Sequence, residues 1–362
     1  MSILIFIVML VVLIVGHEYG HLIVAKLSGM KVPEFGIGFP PRLFGKRIGE
    51  TEYTVNALPF GGFVKIVGED DADLDDPRAF HKRPKILQAA TLFAGPFSNI
   101  LMGLVLSTAA FMIGVPAATG DPAYTPYIHG ASVVVAEVIP GSPAEHAGLK
   151  EGDRIVSVSA AGKTTAVAMP DDVTSAVNGI STPVTLAVER AGKDLSFTMT
   201  PATNVVPDDP SRLAIGIGPL TVGTLSYPIG KAFVAGVQDT YDQTKTILGG
   251  LFSLVGQAFQ WKADLSGLAG PVGIVSLVGT AAGFGFGSLL SFAALISVNL
   301  GIVNLLPFPA LDGGRLAFLA YEAVTRRRIP AKVADGLNIG GFAILIILMI
   351  AITAHDIWRL VH

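Results

Sequence analysis

The chain has 362 residues, 51% of them hydrophobic and only 15% charged, with a net charge of −3 and no cysteine. Soluble domains carry about 25% charged residues, so this composition belongs in a bilayer. The small charge gives no sign of nucleic acid, and the missing thiols exclude disulfides, thiolate metal ligation and cysteine catalysis.

The first apolar run, Ile3 to Val15, has neither a positive leader nor a small-residue cleavage site, and it resumes after His21. It reads as one retained span, about 3–27, and not as a signal peptide. Within it lies His17-Glu18-Tyr19-Gly20-His21. Residues i and i+4 share a helix face, so His17 and His21 can reach one ion with Glu18 beside it. This H-E-x-x-H spacing is a zinc metalloprotease signature, in which the metal acidifies a water and the glutamate takes its proton. The bland alternative is two histidines that donate interhelical hydrogen bonds. Three ionisable groups in one turn of an apolar helix are costly unless they serve a function. Gly16 and Gly20 suit the close approach of a neighbouring helix.

Residues 28–91 carry nine basic residues, Lys31, Arg42, Lys46, Arg47, Lys65, Arg78, Lys82, Arg83 and Lys85. Phe35–Phe39, Glu52–Ala57 and Leu58–Lys65 read as short β segments with glycine turns. A second span covers about 92–115, closing a first membrane part at 1–115. A compact α+β domain follows over 125–202. Its strands are Val133–Val138, Gly152–Val158, Val184–Glu189 and Leu195–Met199; Pro140–Leu149 reads as a turn plus a short helix stopped by Gly148, 171–178 as another short helix, and Arg190-Ala191-Gly192-Lys193 as a turn. Residues 203–286 combine a Pro/Asp-rich linker (204–210), an amphipathic helix over Tyr227–Gln260, and an apolar stretch broken by glycines from Gly267 to Gly287. That stretch is expected to be a flexible membrane-surface segment, because a fifth span would spoil the charge topology. The last part, 287–362, holds spans at about 287–306 and 338–358. The connection between those spans carries Arg315, Arg326, Arg327, Arg328 and Lys332. Basic connections stay cytoplasmic, which directs both termini and the long middle segment outward.

A catalytic zinc needs a third protein ligand and an open position. His81, His129, His146 and His355 fall in loops, in the outward domain or at the wrong depth. Asp312, in Asn304-Leu305-Leu306-Pro307-Phe308-Pro309-Ala310-Leu311-Asp312-Gly313-Gly314, follows the third span on the cytoplasmic side, as His17 and His21 do. It is either that ligand or the N-cap of a following helix.

The run Gly141-Ser142-Pro143-Ala144…Gly148-Leu149…Gly152-Asp153 strongly resembles a bacterial PDZ domain, a module that binds peptides as an added strand. A spacer that only blocks access has the same shape. Taken together, the H-E-x-x-H span, the PDZ insert and Asn304…Leu311-Asp312-Gly313 resemble the site-2 protease family of intramembrane metalloproteases, in its RseP-type bacterial branch, over nearly the whole chain. The resemblance implies a polytopic α-helical membrane protein with about four transmembrane helices, a membrane-associated β element and one inserted PDZ domain. It implies one Zn²⁺ held by His17, His21 and Asp312, with Glu18 as general base. Asn304 would help hold the substrate backbone, although it could equally make an ordinary interhelical hydrogen bond. A β element near the zinc, with Gly36, Gly38, Gly61 and Gly62, would offer an edge to an extended substrate. Here Pro40-Pro41 follows Phe39, unlike relatives with glycine there, and one PDZ unit stands where other relatives have two.

The implied substrates are single-span membrane proteins already trimmed outside, such as anti-sigma factors and remnant signal peptides, with peptide ends meeting the PDZ domain. The implied place is the bacterial inner membrane, in contact with the lipid bilayer. A membrane-anchored PDZ adaptor with a vestigial metal site is the rival reading. A metal transporter ranks below it, since the spans carry no second acidic cluster.

Overall fold

A computed structural model of the chain describes residues 1–69, 75–119, 124–190, 192–206, 209–260, 269–327 and 329–361. Ala191, Gly267 and Arg328, with Pro207 and Asp208 of the expected linker, lie outside the described residues. In chain order the elements are α1 (Ser2–Leu27), β1 (Glu34–Ile48), β2 (Thr51–Lys65), α2 (Lys85–Ile113), β3 (Val115–Ala118), β4 (Ile128–Val138), α3 (Pro143–Ala147), β5 (Arg154–Ala160), β6 (Lys163–Ala166), α4 (Pro170–Val177), β7 (Val184–Arg190), β8 (Lys193–Met199), β9 (Ile217–Leu225), α5 (Ile229–Phe259), α6 (Pro271–Gly283), α7 (Phe286–Asn304), α8 (Asp312–Thr325) and α9 (Ala331–Val361). Two compact units result, one of residues 1–110 with 229–362, the other of 111–228.

In the first unit, α1, α2, α7 and the Lys332–Trp358 stretch of α9 are long and apolar enough to cross a bilayer. Helix α2 starts at Lys85, earlier than its apolar run, and stops at Gly114, whose φ of +122° no longer fits a helix. The flexible segment expected over 267–286 is, where described, helix α6 of 13 residues. At about 1.5 Å per residue it spans about 20 Å, short of the roughly 30 Å of hydrocarbon. Its Val278 is buried against Met9 and Leu13 of α1 and Ala293 of α7, and this packing makes it part of the helical core.

Strands β1 and β2 make a single sheet that folds over itself. Ile37 of β1 lies opposite both Val55 and Gly62 of β2, so residues 34–37 sit between two stretches of their partner. Residues 42–48 pair with 51–56 on the far side. The 62–65 stretch is therefore an edge, pairing with no other strand among the described residues. Sequence periodicity read three short segments here, and the twofold use of 34–37 joins them.

The second unit is a sheet in the order β3-β9-β4-β5-β7-β8, with β6 against β5. Alternating apolar residues put Val133, Val135, Ile155, Val158, Leu186 and Val188 into one core with Leu149 and Val173. Strand β9 lies within the stretch expected to be linker and surface helix, yet it pairs with both β3 and β4. Helix α3 begins at Ser142, whose side chain accepts from the Glu145 amide, and ends at Gly148 in the left-handed region. Buried Asp153 accepts two hydrogen bonds from Arg190, Nε to Oδ1 at 2.6 Å and Nη2 to Oδ2 at 2.7 Å. That pairing holds the Arg190 guanidinium above its ordinary value and ties the start of β5 to the end of β7.

Candidate metal centre

Helix spacing brings His17 and His21 onto the buried face of α1, at 8% and 7% exposure, in a helix whose only other charged side chains are Glu18 and Lys26. Helix α8 brings Asp312 to meet them. The Asp312 Oδ2 lies 3.1 Å from His17 Nε2 and 3.4 Å from His21 Nε2, and the two Nε2 atoms lie 3.2 Å apart. The three atoms form one small triangle, and no other group of three such side chains could hold a metal among the described residues.

Local chain chemistry explains why Asp312 arrives there. Helix α7 ends at Asn304, and the Pro307–Pro309 stretch cannot continue it. The chain folds back so tightly that a Cβ on Gly313 would collide with the Leu306 carbonyl, and one on Gly314 with the Phe308 carbonyl. The N-cap position of α8 is Leu311, so Asp312 is the first helical residue. Its carboxylate points at the histidines, and its charge suits a helix N-terminus. Arg315 bonds Glu69 at 2.5 Å and Lys85 bonds Glu322 at 2.6 Å, fixing α8 from outside.

Helix α2 supplies the backing that sequence reasoning missed. His21 Nδ1 lies 2.7 Å from the Thr91 carbonyl, an acceptor only, so the proton belongs on Nδ1 and the Nε2 lone pair is free. A Cβ on Gly95 would fall on the His21 ring. Ser98 Oγ donates to the Gly16 carbonyl at 2.8 Å, and a Cβ on Gly20 would meet the Ala94 carbonyl. Gly16 and Gly20 were expected to admit a neighbouring helix. Their counterparts Gly95 and Ser98 carried one visible signal, their place in a span with an internal proline, Pro96.

Glu18 meets the Val64 backbone of the edge stretch 62–65. Gly62 passes so close that a Cβ there would stand 3.2 Å from Glu18 Cγ. Of the other three glycines, Gly36 is packed under the Phe63 ring, Gly61 under the Phe39 ring, and Gly38 (φ +77°) against the Leu58 carbonyl. Asn304 closes α7, half-buried, eight residues before Asp312.

Residues 5–348 match the model of peptidase family M50. The chain belongs to that family. A Clostridium perfringens protein assigned as a zinc metalloprotease is 34% identical over 95% of this chain and 95% of its own. The zinc metalloprotease RasP of Geobacillus kaustophilus is 31% identical over 99% of this chain and 98% of its own. This M50 chain is accordingly a membrane-embedded zinc metalloprotease of the site-2 protease family. Its triangle fits the ion. Zinc bonds of about 2.0–2.1 Å to nitrogen and oxygen set the edges of a tetrahedron at about 3.3 Å. The edges of 3.1, 3.2 and 3.4 Å bracket that value, and three such atoms leave a fourth position open.

Proposed function

We propose that this protease cuts peptide bonds within the membrane-spanning segments of single-span proteins, with His17, His21 and Asp312 holding zinc and Glu18 as general base. The observation that carries the reading is the position of the His17–His21–Asp312 triangle on an apolar, membrane-crossing helix beside a sheet edge. Zinc bound there supplies Lewis acidity, which polarises a carbonyl and eases deprotonation of water. Glu18, adjacent to His17 in sequence, accepts the proton of the attacking water and returns it to the leaving amine. A helical substrate hides its carbonyls in i→i−4 bonds and must unwind before attack. The 62–65 edge supplies replacement backbone partners, with Gly62 leaving room beside Glu18 while Gly36, Gly38 and Gly61 let the sheet close behind it. Asn304 steadies the extended backbone from the end of α7.

The inserted unit, through its Gly141–Ala144 and Gly152–Asp153 resemblance, acts as a single PDZ domain that admits trimmed ends and holds back bulky ectodomains. The two Lys/Arg-bearing connections support a catalytic centre towards the cytoplasm with the inserted unit on the outer side, and the family resemblance supports a bacterial inner membrane. Trimmed anti-sigma factors and remnant signal peptides have the required single-span form. The test is purified Glu18→Gln protein against a model single-span substrate. Zinc near one per chain with no cleavage is expected, and any cleavage at the wild-type rate overturns the assigned mechanism. Peptide binding by a wild-type protein that neither holds zinc nor cuts would support the adaptor reading instead.

A further inference from the structure

Asn99 of α2 is 1% exposed in the middle of a membrane-crossing helix. Its side-chain Nδ2 lies 3.2 Å from His17 Nδ1, while its Oδ1 is buried with no hydrogen-bond partner. A buried amide in an apolar helix is expensive unless it is used. Helix α2 is pinned at this residue, since Ser297 of α7 donates to the Asn99 carbonyl at 2.7 Å. The amide therefore sits at a fixed height beside the imidazole.

The chemistry of His17 decides which end of the amide is needed. With the proton on Nε2, facing Asp312, the Nδ1 lone pair takes a donor, and the amide nitrogen is the right neighbour. When Nε2 gives its lone pair to a metal, the proton resides on Nδ1 and requires an acceptor. A half-turn about the Asn99 Cβ–Cγ bond exchanges nitrogen for oxygen with almost no change of shape. His21 has its acceptor already, the Thr91 carbonyl at 2.7 Å. At His17 Nδ1 the hydrogen-bond partner among the described residues is the Asn99 side chain.

We propose that Asn99 is a positioning residue that presents Oδ1 to His17 Nδ1–H, fixing the tautomer and ring plane in which His17 ligates zinc. This rests on the assignment of His17 as a ligand. The test uses full-length protein in detergent, with zinc affinity measured by chelator competition and ligand geometry by the visible spectrum of the cobalt-substituted protein. Asn99→Leu, similar in shape but without an acceptor, is expected to weaken zinc about 10- to 100-fold and to alter the cobalt bands. Asn99→Asp keeps the acceptor and is expected to hold zinc within a few-fold of wild type. Wild-type affinity in N99L, or zinc loss in N99D, overturns the inference. N99D decides the matter alone if N99L does not fold. His17→Ala in parallel separates the two failures. Zinc retained there defeats the ligand assignment itself, whereas zinc lost there but kept in N99L defeats only the role of Asn99.

Discussion

Gly95→Ala places one methyl group on the His21 ring. Neither helix can easily retreat, because Ser98 bonds the Gly16 carbonyl at 2.8 Å and Gly20 already abuts the Ala94 carbonyl. The ring must therefore shift, by more than the roughly 0.2 Å that a metal–ligand distance tolerates. The triangle has only three members, so displacing His21 removes a third of the proposed protein ligands. Overpacking of this kind costs about 1–3 kcal/mol of stability. Zinc affinity should fall further, at least the 10- to 100-fold that follows loss of an outer partner. Gly103→Ala is the control, since its Cβ would meet the Val298 side chain and no ligand. Thermal unfolding in detergent and bound zinc per chain, measured after dialysis against a weak chelator, distinguish the two variants. The expected result is comparable destabilisation in both and zinc loss in G95A alone. Full zinc occupancy in G95A, or equal zinc loss in G103A, would refute the idea that α2 shapes the site by what it omits.

Gly62→Val adds bulk 3.2 Å from Glu18 Cγ, and is expected to cut turnover of a membrane substrate at least tenfold while zinc content stays at the wild-type level. Asp153→Ala strands the Arg190 guanidinium. Breaking a buried pair costs about 3–5 kcal/mol, and the 29% exposure of Arg190 lowers this to about 2–3 kcal/mol. Hydrogen exchange in β5 and β7 should quicken about 30- to 150-fold, with zinc binding unaffected. Asp172 accepts from the Ala168 and Met169 amides, both at 2.8 Å, and these bonds hold its carboxyl below the ordinary aspartate range. Its stabilising contribution is thus complete above about pH 4 and is lost as pH falls through the lowered value. Exchange in α4 should rise on acidification in wild type, while Asp172→Asn should already exchange faster at pH 7 and show a flatter acid response.

The helical part of the fold was legible because each crossing helix is a long apolar run, and the H-E-x-x-H spacing places two histidines on one face whatever surrounds them. Asp312 was legible as a candidate through its proline-broken approach, but its choice between cap and histidine partner depends on the Gly313–Gly314 fold-back, a tertiary event. Strand β9 was hidden because Gly218, Pro219 and Gly223 break the period-2 pattern, and its pairing with β3 and β4 compensates. Helix α6 looked like a flexible stretch because glycine-rich composition says nothing of what it packs on. Asn99 did leave a trace, an amide within an apolar span, which outweighs the apolar residues around it as a clue.

The distance along the chain between His21 and Asp312 has a consequence for biosynthesis. Helices α1 and α2 leave the ribosome early and can pair at once, giving two buried histidines backed by Thr91 and Gly95. The carboxylate follows nearly three hundred residues later, behind α7 and its fold-back. Until then the nascent chain carries a glutamate and two imidazoles without their third partner. With His17, His21 and Asp312 as the proposed ligands, chain order places completion of the metal site among the last steps of maturation, and a chain released before residue 312 would lack the third of them.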